Sequence, residues 1–119
     1  LGDYASPARI AEVARDFPKL PVIMGHSGVV EGIREAVEAA KKYENVYMDS
    51  SAVGWLAFFC ESIAWAGTDR VMYGSDHPFN PMDWEIQKIV KHAQGHLKLK
   101  IEDLRKIMGG NIKRLLALD

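Results

Sequence analysis

Three short apolar runs, Pro21-Val22-Ile23-Met24, Asn45-Val46-Tyr47-Met48 and Arg70-Val71-Met72-Tyr73, recur at a nearly even interval, with one helical pattern in each gap. Strand, helix, strand at such spacing is a βα unit, and successive units build a parallel sheet. The runs are apolar throughout rather than alternating, which predicts strands covered on both faces. Each ends in polar residues at a turn: Gly25-His26-Ser27-Gly28, then Asp49-Ser50-Ser51, then Gly74-Ser75-Asp76-His77-Pro78. Parallel α/β sheets carry their sites on the carboxyl edge of the strands, so His26, Asp76 and the serines are expected to gather there.

The helical patterns have their own punctuation. Ser6-Pro7 reads as an N-cap with proline in the first turn, and Ile10, Val13, Ala14 and Phe17 share a face before Pro18 stops the helix. Ile33, Val37 and Ala40 stripe a second helix, with Glu31, Arg34, Glu35, Glu38, Lys41 and Lys42 outside. Leu56, Phe59, Ile63 and Ala66 mark a third, closed by Gly67. Asp83 is placed to cap a fourth, bearing Ile86, Ile89, Val90 and Ala93, which Gly95 breaks. Two short helices follow around Ile101, Leu104, Ile107 and Met108 and around Ile112, Leu115 and Leu116, with Gly109-Gly110 between them.

A net charge of -1 gives no general pull toward nucleic acid or an acidic membrane surface. The basic residues of the last quarter, interleaved with apolar ones at helical spacing, read as a solvated helix face. No apolar run reaches the ~20 residues of a membrane helix and no secretory signal opens the chain. Cys60 is the only cysteine, so no internal disulfide forms; a buried thiol in a reducing, cytoplasmic setting is expected. The chain opens on Leu1 rather than Met, which reads as a processed product or an excerpt. With no linker or low-complexity stretch, residues 1–119 form one domain. Three strands could stand as a small open sheet at this length, whereas a closed (β/α)8 barrel needs about 250 residues.

The order of Phe17-Pro18-Lys19-Leu20-Pro21-Val22-Ile23-Met24-Gly25-His26-Ser27-Gly28, Asn45-Val46-Tyr47-Met48-Asp49-Ser50-Ser51, Gly67-Thr68-Asp69-Arg70-Val71-Met72-Tyr73-Gly74-Ser75-Asp76-His77-Pro78-Phe79 and Gly110-Asn111-Ile112-Lys113-Arg114-Leu115-Leu116 resembles the C-terminal part of the amidohydrolase-related TIM-barrel hydrolases, a family that includes non-oxidative decarboxylases. The resemblance implies a single partial domain holding strands six to eight of a barrel. On that register Asp76 matches the aspartate that binds a divalent metal, zinc or manganese, and takes the proton of the attacking water. His26 matches the histidine that polarises the substrate or assists the water. Beside that match, the position of Ser50 at a strand end makes it a candidate substrate contact, and His77, next to Asp76, reads equally as a substrate-facing rim contact or a surface histidine. The family's other metal ligands, a His-x-His pair and often a further histidine, have no counterpart here. A small carboxylate or cyclic substrate is implied, as is a partner: a second copy or the missing portion of the barrel.

Other readings stay open at the level of residues. Ser27 sits at a strand-to-helix turn, and Ser27, Asp76 and His92 follow the chain order of an α/β serine hydrolase, although Val29 replaces the last glycine of that motif. A non-catalytic open-sheet binding or assembly module is a further alternative. Asp49, Ser50 and Ser51 either line a pocket or cap the next helix. Trp55, Phe58 and Phe59 read as core or interface, and His92 and His96, four apart but split by Gly95, as surface residues.

Overall fold

The computed structural model describes residues 6–53 and 56–118. Along the chain lie α1 (Pro7–Asp16), β1 (Val22–Met24), α2 (Val29–Lys42), β2 (Val46–Asp49), α3 (Leu56–Ala66), β3 (Val71–Met72), α4 (Met82–Gly95), α5 (Ile101–Arg105) and α6 (Asn111–Leu115). A tight turn at Gly25–Gly28 joins β1 to α2, and a wide helical turn at Lys106–Gly110 links α5 to α6. Ser6 caps α1, its hydroxyl accepting from the Arg9 amide at 3.4 Å. Gly67 follows α3 with φ +76, the left-handed conformation that glycine adopts without steric cost. At α4 the expected cap moves: Pro81 holds the N-cap position without a side-chain bond, and Asp83 falls in the first turn. An acid there still faces the positive end of the helix dipole.

The strands form one parallel sheet in the order β1-β2-β3. Met24 pairs with Met48, and Met48 with Val71; all three are buried in one core with Ile33, Val37 and Ala40 of α2 and Phe59 and Ile63 of α3. Successive strand residues point to opposite faces. On the other face Ile23 pairs with Tyr47, and Ile23 is 43% exposed. The expectation of a sheet covered on both faces is therefore corrected at β1 only: on the same face Met72, paired with Asp49, is buried. Trp55, the Leu56 and Phe58 side chains, and those of Glu31 and Ala93 lie outside the described residues, whereas Phe59 is core.

Side-chain donors close the helix ends beneath the sheet, where the last carbonyls have no partner within the helix. Asn45 Nδ2 lies 3.0, 3.1 and 2.9 Å from the carbonyls of Ala14, Phe17 and Leu20. Arg70 donates to Ala40 and Tyr43 at 2.7 and 3.0 Å and to Ala66 at 3.0 Å, tying the end of α2 to that of α3. Asn111, fully buried, donates from Nδ2 to Thr68 and Val71 at 2.7 and 2.8 Å and docks α6 at the start of β3. These bonds set the depth of each strand and so the height at which its carboxyl end delivers side chains. No helix among the described residues is long and apolar enough to cross a membrane.

Candidate active site

Beyond Met24 the backbone leaves the strand through two consecutive left-handed residues, His26 at φ 55 and Ser27 at φ 45. Non-glycine residues occupy that region seldom and at a cost, which the surrounding bonds must hold in place. The His26 amide donates to Asp49 Oδ2 at 3.2 Å and the Ser27 hydroxyl to the Asp49 carbonyl at 2.6 Å. Both anchors come from the end of β2, so the turn after β1 is built on its neighbour. Asp76, after β3, is left-handed too, at φ 55.

The two turns bring His26 and Asp76 face to face. His26 Nε2 lies 3.7 Å from Asp76 Oδ1, with the side chains 39% and 25% exposed. They share the wall of a cavity of about 390 Å³, to which Ile23, Asp49, Ser51, Tyr73 and Ile112 also contribute. On the far side of the imidazole, Nδ1 meets Ser51 Oγ at 2.9 Å. Ser51 is held in turn by Asp49: its amide donates to Oδ1 at 3.0 Å and its hydroxyl makes a short bond to Oδ2.

Ser50 is placed differently. It is 1% exposed, its Oγ accepts from the Gly74 amide at 3.4 Å, and its carbonyl accepts from Lys88 Nζ at 2.9 Å. Ser51, not Ser50, reaches the cavity. The pleat explains this, since Asp49 faces the open side, Ser50 turns toward the side of Met48, and Ser51 returns. The sequence leaves the phase of that alternation open, because Val46, Tyr47 and Met48 are all apolar. Lys88, paired closely with buried Glu85, was missed altogether, the only hint being a Glu–Lys pair three apart on a helix. His77 is exposed and lies outside the cavity wall.

The serine-hydrolase arrangement does not form. Ser27 is 1% exposed, its hydroxyl is spent on a backbone carbonyl, and among the described residues no histidine is bonded to it. His92 sits half-buried on α4 with its ring 5.7 Å from that of the exposed His96, and among the described residues its buried Nδ1 has no partner. Burial, with His96, Lys91 and Lys88 nearby, holds the His92 pKa below the usual imidazole range. Cys60 is partly buried, and burial pushes its thiol pKa up.

As a cation site the pair is a partial fit. A carboxylate oxygen and an imidazole nitrogen converge from adjacent strand ends, the donor types that zinc accepts, but a catalytic zinc takes three protein ligands. Among the described residues no group of three His, Cys, Asp or Glu side chains could hold a metal.

Solved structures share this architecture. An uncharacterised TIM-barrel protein from Bordetella bronchiseptica aligns with 26% identity and a TM-score of 0.79 over 96% of this chain and 40% of that one. A zinc-bound amidohydrolase from Burkholderia multivorans aligns with 15% identity and a TM-score of 0.78, over 95% and 49%. A dihydroxybenzoic acid decarboxylase from Polaromonas sp. JS666, with bound manganese and the inhibitor 2-nitroresorcinol, aligns with 19% identity and a TM-score of 0.68, over 93% and 38%. The chain thus spans less than half the length of these proteins and has the fold of part of a TIM barrel. The sequence profile described as Amidohydrolase matches residues 2–118, and the chain belongs to the amidohydrolase family.

Proposed function

We propose that this chain supplies the His26–Asp76 half of a metal-dependent active site that hydrolyses, or decarboxylates without oxidation, a small carboxylate or cyclic substrate. The observation that carries the reading is the 3.7 Å approach of His26 Nε2 to Asp76 Oδ1 on one cavity wall, in a family member whose solved relatives hold zinc or manganese. Asp76 would be the residue of this chain that holds the divalent ion, zinc or manganese. A cation there supplies Lewis acidity and brings water within reach of deprotonation near neutral pH. The Asp76 carboxylate would also accept the proton of the attacking water. His26, on the opposite side, contacts the water or the reacting group of the substrate. Ile23 and Ile112 give the cavity an apolar flank against which the body of a small substrate packs.

The remaining ligands come from a partner surface, either the rest of the barrel or a second copy of the chain. The exposed Ile23 face of the sheet is where such a surface would seat, because an apolar strand face left open to water is unfavourable. Metal content and turnover of the intact protein test the reading. A divalent ion in the wild type, lost along with turnover in Asp76→Ala, supports it. Unchanged metal and turnover in that variant overturn it.

A further inference from the structure

The bonds behind His26 determine which of its nitrogens carries the proton. Asp49 is an acceptor on both carboxylate oxygens: the His26 and Ser51 amides donate to Oδ2 and Oδ1 at 3.2 and 3.0 Å, and the Ser51 hydroxyl donates to Oδ2 as well. A serine hydroxyl has a single proton and two lone pairs. With that proton committed to Asp49, Ser51 Oγ has only acceptor capacity left for the imidazole 2.9 Å away. The Nδ1···Oγ contact is therefore an Nδ1–H donating to Ser51. In a neutral imidazole one nitrogen donates and the other accepts, so Nε2 carries the lone pair.

We propose that Ser51, oriented by Asp49, is a positioning residue that locks His26 as the Nδ1–H tautomer and presents the Nε2 lone pair to the cavity beside Asp76. The proposal rests on the reading of the His26–Asp76 pair as the reactive centre and sharpens it. Neutral His26 then acts toward the cavity as an acceptor, taking a proton or binding a donor, and cannot stabilise a developing oxyanion from Nε2 as a polarising donor would. Two acceptors facing each other at 3.7 Å repel unless something positive or protic lies between them. The lock thus makes the gap a receptor for a cation, a water or a substrate hydroxyl. Ser51 and Asp49 are both held within the fold, 3% exposed in the case of Ser51, so solvent cannot readily substitute for the bond that each makes.

The test is the nitrogen-15 NMR signature of the His26 ring in the intact labelled protein at alkaline pH, assigned through a His26→Gln control. A protonated-type shift at Nδ1 with an unprotonated or metal-ligated shift at Nε2 is expected. A proton on Nε2 in the wild type overturns the proposal. Ser51→Ala should lose the Nδ1–H signature and gain an Nε2–H population. Asp49→Ala, which releases the Ser51 hydroxyl to donate to Nδ1, should move the proton to Nε2. Retention of the wild-type shifts in either variant removes that residue from the lock, and where a variant does not fold the wild-type spectrum still decides the tautomer. Because this readout needs neither turnover nor metal, its failure is distinct from failure of the metal-dependent reading, which metal content and Asp76→Ala decide.

Discussion

The Asp49 carboxylate lies in the space left by the missing side chain of Gly74: a Cβ built there would stand 2.9 Å from Asp49 Cγ and press harder still on Oδ1. A residue at the end of β2 is thus kept in place by the backbone just past β3. Asp49 receives the amides of His26 and Ser51 and the Ser51 hydroxyl, so a shift of its carboxylate disturbs the whole cluster behind the imidazole.

Gly74→Ala should consequently act at a distance from its own position. Overpacking against Asp49 is expected to cost about 1–3 kcal/mol. Turnover should fall more than the lost stability accounts for, because the His26 ring loses its support. Denaturant unfolding compared with kcat/KM at a temperature where the variant remains folded checks this. A variant with reduced stability and unchanged kcat/KM would remove Gly74 from the site.

Asp76→Asn keeps the shape of the side chain and a residue type that tolerates the left-handed backbone. The substitution removes the charge and the proton-accepting oxygen together. Turnover should fall by about 10²–10⁴-fold with little change in the thermal midpoint, since loss of a positioned general base costs of that order. Parallel kinetics and thermal melts measure both quantities.

Asn111→Ala should destabilise the protein by about 1–3 kcal/mol, the cost of leaving buried partners unmade. Its amide satisfies the carbonyls of Thr68 and Val71 from a position with no access to water. Asn111→Asp should be worse, because a carboxylate would face two carbonyl oxygens. Urea unfolding midpoints of the three proteins rank them.

The half-buried His92 predicts an acid-side loss of stability. Its folded pKa lies below the unfolded value of about 6.5 through burial and the nearby His96, Lys91 and Lys88. Below about pH 6.5 the unfolded chain therefore binds the proton more readily than the fold does, and stability rises with pH in that window. The stabilisation is fully present above the unfolded value and is lost as pH falls through the folded one. His92→Leu should flatten the fall in thermal midpoint between neutral and mildly acidic pH. An equally steep fall would assign the acid sensitivity to other groups.

The sequence by itself determined the alternation of strands and helices, and hence the parallel sheet, because apolar periodicity and end signals such as Ser6-Pro7 and Gly67 are local properties of the chain. It also determined that His26, Asp49 and Asp76 would stand at strand ends, since a residue following an apolar run has nowhere else to be. Only the tertiary structure decided which of them meet. Whether Ser50 or Ser51 faces the cavity depends on the phase of the pleat, which is defined only once one face is buried. That Asp49 lies against Gly74 and that His26 comes within 3.7 Å of Asp76 are products of strand register, which helices and buried donors such as Arg70 and Asn111 set from far along the chain. Such pairings bring together residues dozens of positions apart, and no local pattern encodes the distance between them.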